Sequence, residues 1–157
     1  MALQLVTDRT QADVDAVKIL HSKRLSDMTA DERAQWNSGT LKGAYNSADL
    51  NRVETAVEIL AAELTMLGFP INVETKTDWG PFAVPTVQAM TRYLQNVATL
   101  RNAVNVFAQI TPTLPSSMQH FDFDGANRIE MVLQGIEQWT MQMQSERKYS
   151  GEMFCGE

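Results

Sequence analysis

The chain has 157 residues, 44% hydrophobic and 20% charged, enough for one domain with a sizeable core. Thirteen basic residues against nineteen acidic ones give a net charge of −6, which argues against sequence-independent binding to phosphate backbones. No apolar run approaches the ~18 residues that span a bilayer, and a single cysteine, Cys155, excludes an internal disulfide and fits a reducing cytosol.

Residues 2–7 alternate loosely between apolar and polar and predict an extended arm. They lack the basic and apolar stretches of a secretory signal, so a soluble chain is expected, with neither nucleic acid nor membrane as partner. Thr10 offers an N-cap, with Asp13 three residues on and Val14, Val17 and Leu20 following at helical spacing. Thr29-Ala30-Asp31-Glu32 is a capping box opening a short helix to about Trp36, and Asn37-Ser38-Gly39 stops it. Asn46-Ser47 caps a helix over 47–67, whose seam is Leu50, Val53, Val57, Leu60, Leu64 and Leu67. Gly68 and Pro70 end it.

Residues 71–77 switch to period two and predict a short strand, with a turn at Asp78-Trp79-Gly80-Pro81. The next helix is expected over 86–108, on a stripe of Met90, Leu94, Val97, Leu100, Val104 and Phe107. Thr111-Pro112-Thr113-Leu114-Pro115 breaks it. Asp122 or Asp124 caps a last helix over 125–148, with Ala126, Ile129, Leu133, Ile136, Thr140 and Met143 on one face. The fold class read from this pattern is mostly α. It comprises three long helices, two short N-terminal helices packed across them, and extended segments at 2–7 and 71–77 that should pair as a small sheet or with neighbouring chains. Residues 1–157 form one domain and 149–157 an extended tail. That tail is a small tandem, Tyr149-Ser150-Gly151-Glu152 and Phe154-Cys155-Gly156-Glu157. Tyr149, Met153 and Phe154 are its candidate docking residues, on the mode of an extended terminus adding to a partner's edge.

Chemistry-bearing clusters are sparse. His21 and His120 share no metal-ligand or triad spacing with carboxylates or the cysteine. Phe121-Asp122-Phe123-Asp124-Gly125 has its glycine fourth and Glu130 ninth, not the sixth and twelfth positions of a calcium loop, and helix capping accounts for its aspartates. The sequence therefore predicts no catalytic residue, no metal and no cofactor. Trp36, Trp79 and Trp139 read as core or lid residues, with Trp79 also an interaction candidate. Met143 reads as core, while Met131 and Met141 fit either core or an adaptable protein-binding surface.

One short pattern recurs three times. Leu50-Asn51-Arg52-Val53, Met90-Thr91-Arg92-Tyr93 and Ala126-Asn127-Arg128-Ile129 place arginines 40 and then 36 residues apart, each near the start of a long helix. Positive charge there opposes the helix dipole, so Arg52, Arg92 and Arg128 need partners. Asp49 and Asp124 can pair with Arg52 and Arg128 along their own helices; contact with a neighbouring helix or subunit is the other reading.

The ordered set Thr7-Asp8-Arg9-Thr10-Gln11-Ala12-Asp13-Val14, Gly43-Ala44-Tyr45-Asn46, Asp49-Leu50-Asn51-Arg52-Val53-Glu54, Lys76-Thr77-Asp78-Trp79, Val84-Pro85-Thr86, Arg92-Tyr93-Leu94, Asn127-Arg128-Ile129-Glu130 and Ser150-Gly151-Glu152 spans nearly the whole chain. It resembles a module in structural proteins of tailed phages and prophages of Gram-positive, largely gut, bacteria. Gly80-Pro81-Phe82 departs from it, standing where the resemblance implies a polar or acidic stretch. The resemblance implies a virion building block without enzymatic activity, in the tail, baseplate or fibre region. Its partners would be copies of itself and other virion proteins. The alternative is a prophage adaptor or regulatory domain that binds a protein through its last helix.

Overall fold

The computed structural model describes residues 2–150, with the backbone alone at 149 and 150. Among the described residues it is all-α, with five helices: α1 (Gln11–Ser22), α2 (Ala30–Ser38), α3 (Ser47–Met66), α4 (Val87–Asn105) and α5 (Phe123–Ser150). Reciprocal capping boxes start the first three, pairing Thr10 with Asp13, Thr29 with Glu32 and Asn46 with Asp49. The Thr86 hydroxyl accepts the Ala89 amide to open α4, and the Asp122 carboxylate accepts the Gly125 amide at the start of α5. After α3, Gly68 takes φ 99°, and the Phe69 amide turns back to the Leu64 carbonyl, a left-handed stop that favours glycine.

The three long helices, of 20, 19 and 28 residues, pack on one another. They run parallel. Arg52 meets Glu130, the Glu63 carboxylate accepts the Thr140 hydroxyl, and Arg147 donates to the Met66 carbonyl, so α3 and α5 rise together. Arg92 near the start of α4 reaches Glu54 near the start of α3, and at the far end Phe107 packs edge-on against Phe69. Two descending connections, 67–86 and 106–122, therefore return the chain to the foot of the bundle. The close packing lies among α3, α4 and α5; α1 buries only Leu20, and α2 has no buried residue. Between α2 and α3 the backbone passes so close to α1 that a Cβ on Gly43 would collide with the Asp13 carbonyl.

Between the long helices lies one apolar seam, with Val53, Leu60, Leu64, Val97, Leu100, Ile129, Leu133 and Ile136 all fully buried. On α4 the face is rotated from the expected stripe. Tyr93 and Asn96 point inward, Met90 and Leu94 are only half-buried, and Phe107 is 64% exposed. α5 continues through Ser150, two residues past the expected end, which brings Tyr149 into the helix rather than the tail. Met153 and Phe154 lie outside the described residues.

The expected strands are a second correction. Residues 2–9 and 71–79 are extended, but among the described residues neither forms a strand ladder. The period-two reading of 71–77 did capture the packing, since Ile71, Val73 and Thr75 turn toward the bundle and Asn72 and Glu74 away. Backbone groups that a neighbouring strand would have satisfied are bonded instead by polar side chains of the helices.

Candidate functional site

Two features stand out: a buried charged layer at the foot of the bundle and an apolar groove beside α4. The layer is built by a tetrapeptide used twice. In α3, Asn51 grips the backbone of Trp79 on both sides, accepting its amide at 2.7 Å and donating to its carbonyl at 3.0 Å, while Glu54 accepts the Lys76 amide at 3.2 Å. In α5, Asn127 grips Arg9 in the same manner at 3.0 and 2.8 Å, and Glu130 accepts the Val6 amide at 2.6 Å. One turn pairs with another: helix positions three apart hold extended-chain positions three apart. Glu137 extends the second set by accepting the Leu3 amide at 2.6 Å. The side-chain carboxamide and carboxylate thus do for these segments what a neighbouring strand would do.

Charge closes the layer. Glu130 is fully buried, and both its oxygens are shared: Oε1 accepts from Arg9 and Arg52 at 2.8 and 2.7 Å, and Oε2 from the Val6 amide and Arg52 Nε. Arg9 and Arg52 also converge on Asp49, whose other oxygen caps α3 through the Asn46 amide. Glu54, 1% exposed, takes Arg92 at 2.6 Å, and Arg92 also donates to the Glu74 carbonyl. Burial works against the charge on Arg52, but hydrogen bonds and the negative charge of Glu130 and Asp49 outweigh it and raise its pKa above the ordinary value.

Above the layer, the Tyr45 and Tyr93 hydroxyls bond each other, and the Arg9 guanidinium lies 5.4 Å from the Tyr45 ring centre. Burial pushes both phenols well above their usual pKa of 10. Every carboxylate in this layer is held by donors from the chain itself. The arrangement locks the extended segments onto the helices.

The predicted interaction residues divide accordingly. Arg52 does both, pairing with Asp49 on its own helix and with Glu130 on α5, and Arg92 reaches Glu54 on α3. Arg128 bonds the backbone and hydroxyl of Thr113 at 2.8 and 2.7 Å, with Asp124 more distant at 3.8 Å. Trp79 is buried, with the Lys76 ammonium 5.2 Å from its ring centre. Sequence reasoning missed Arg9, Glu54, Glu130, Asn51 and Asn127. The signal for four of them was present, because the recurrence is Asn-Arg-Val/Ile-Glu and not arginine alone.

The chain matches no protein-family model, no curated protein and no solved structure.

The second feature is a groove of about 710 Å³ between α4 and residues 114–119. Met90, Leu94, Leu114 and Met118 give it an apolar lining, and Thr91 and Gln95 add polar groups without charge. The turn at Gly80–Ala83, where the Ala83 amide returns to the Gly80 carbonyl, carries Phe82 at 94% exposure, with Val84 at 87% beyond it. Among the described residues no group of three or more His, Cys, Asp or Glu could hold a metal, and no helix is long and apolar enough to cross a membrane.

Proposed function

We propose that this chain is a structural protein of a tailed-phage virion, incorporated in several copies in the tail, baseplate or fibre region. The observation that carries this reading is the use made of buried charge. Arg9, Arg52, Arg92, Glu54 and Glu130 are committed to clamping extended segments onto parallel helices, the work of a rigid scaffold rather than of a reaction site. The residues that make the clamp, Asp49 to Glu54 and Asn127 to Glu130, belong to the set on which the resemblance to phage modules rests. In this reading the partners are other virion proteins and further copies of the chain, and the protein performs no chemistry on them. Mass spectrometry of purified particles from an induced lysogen is the test. The protein should be found at many copies per particle, and its absence from intact virions removes the proposal.

A second reading, a prophage adaptor acting through its last helix, is favoured by one observation. Met131 and Met141 on α5 are 37% and 43% exposed and give that helix a soft apolar surface. Recovery of the chain with a non-virion protein, and not with particles, would select it.

A further inference from the structure

The arginine repeat is incomplete at α4, and the surface records what is missing. α3 and α5 each carry Asn-Arg-Val/Ile-Glu and hold an extended segment through the asparagine and the glutamate. The matching stretch of α4 is Thr91-Arg92-Tyr93-Leu94, which keeps the arginine and loses both grips. The groove opens at those positions, with Thr91 and Leu94 in its wall.

The groove is also lined by uncharged residues alone. Residues 79–91 and 102–121 are the two longest stretches without Asp, Glu, Lys or Arg, in a chain of net charge −6. The fold brings both to this one place: the first supplies the Phe82 turn and the start of α4, the second the opposite wall at 114–119. Val87 in the groove wall is 76% exposed, and Phe82 and Val84, which lead into that wall through Pro85, are 94% and 87% exposed. Projecting apolar knobs thus stand beside an apolar socket.

We infer that this face is a homotypic interface, in which the Phe82 turn of one copy seats in the α4 groove of a second copy. The proposal rests on the reading that the chain assembles in several copies and names the surface that joins them. A knob and a socket on one face satisfy the self-complementarity of a two-fold contact, each copy giving and receiving the same turn. Charge selects the partner. Two copies of an acidic chain repel across much of their surface, and a groove lined without ionised side chains is a place where that opposition is small. Interface cores are depleted of charge and enriched in Phe and Met, which matches Phe82 on one side and Met90 and Met118 on the other. Pockets of about 300–1,000 Å³ enclose drug-sized ligands, so the groove is large enough for an aromatic turn.

The test uses the full chain in solution. Sedimentation equilibrium should give concentration-dependent self-association. Phe82→Asp and Val87→Asp should each weaken it by roughly tenfold or more, because an unpaired charge is then carried into the contact. Both side chains are solvent-exposed, so circular dichroism and melting should match the parent. A photocrosslinker replacing Phe82 should label residues 85–98 or 114–119 of another copy. Undiminished association of the aspartate variants, or labelling of any other segment, residues 151–157 included, overturns the assigned surface and leaves the multi-copy reading standing. A chain that stays monomeric at every accessible concentration also overturns it, whereas the virion reading itself falls only if particles lack the protein.

Discussion

Glu130 receives four donors on two oxygens inside a bundle that excludes water, and its value to the fold is greatest when one partner is removed. Glu130→Gln leaves Arg9 and Arg52 facing each other across a neutral amide. It should cost about 3–5 kcal/mol in urea denaturation, the range for breaking a buried ion pair from one side. Arg128→Ala, at an arginine of the same repeat that reaches only an exposed loop, should cost under ~1 kcal/mol; equal losses at the two sites would refute the distinction. The tyrosine pair makes a pH prediction. Tyr45 and Tyr93 have folded pKa values raised above the unfolded value of 10, so above pH 10 the unfolded chain sheds protons that the folded chain keeps. Their contribution is complete below pH 10 and is lost as pH rises beyond it. In Tyr149→Phe, where these are the remaining tyrosines, tyrosinate absorbance should appear only with alkaline unfolding. Ionisation near pH 10 in a still-folded protein would show that neither phenol is sealed. At this scale the sequence was half legible. Arg52 and Arg92 were visible as a repeat, and Glu54 and Glu130 recur with the same motif, but their burial was not legible, because apolar periodicity treats any carboxylate as surface and cannot see the guanidinium that will neutralise it.

The extended segments show what a periodic pattern can and cannot specify about an element. Alternation at 71–77 correctly places Ile71 and Val73 against the core, since a chain with one face buried must repeat every two residues whatever bonds its backbone. It does not say what those bonds are. The partners, Asn51 and Glu54, lie more than twenty residues earlier on a helix and look like ordinary helix surface. Exchange data should expose the difference from a sheet. The amides of Leu3, Val6, Arg9, Lys76 and Trp79 should be protected in the monomer, and fast exchange at all five would mean that the helices do not hold these segments. Helix positions were the most legible part of the chain, because each is announced by a capping residue at its start. The rotated face of α4 was not, since Tyr93 and Leu94 are both apolar and each continues the Val97, Leu100 and Val104 stripe at helical spacing; the structure buries Tyr93, whose hydroxyl bonds that of Tyr45.

Three parallel helices separated by descending extended chain make a molecule whose parts depend on distant sequence. The arm at 2–9 contributes no helix, yet it supplies Arg9 and three amides to acceptors on α5. Removing residues 2–9 should therefore abolish a cooperative thermal transition rather than merely lower its midpoint, because Glu130 and Asp49 lose a buried counter-charge together; a truncated chain that melts as the parent does would count against this. The same arm has a consequence during synthesis. It leaves the ribosome before every helix it will touch, and its seat on α5 lies 118 to 134 residues later. At elongation rates of roughly 5–20 residues per second that delay is on the order of 10 s, far longer than helix formation or collapse. A nascent chain cannot finish its clamp from one end onward and must wait until α5 emerges. Interrupted translation products keep Arg9 without Glu130 to receive it, so only chains translated through α5 can reach the closed form.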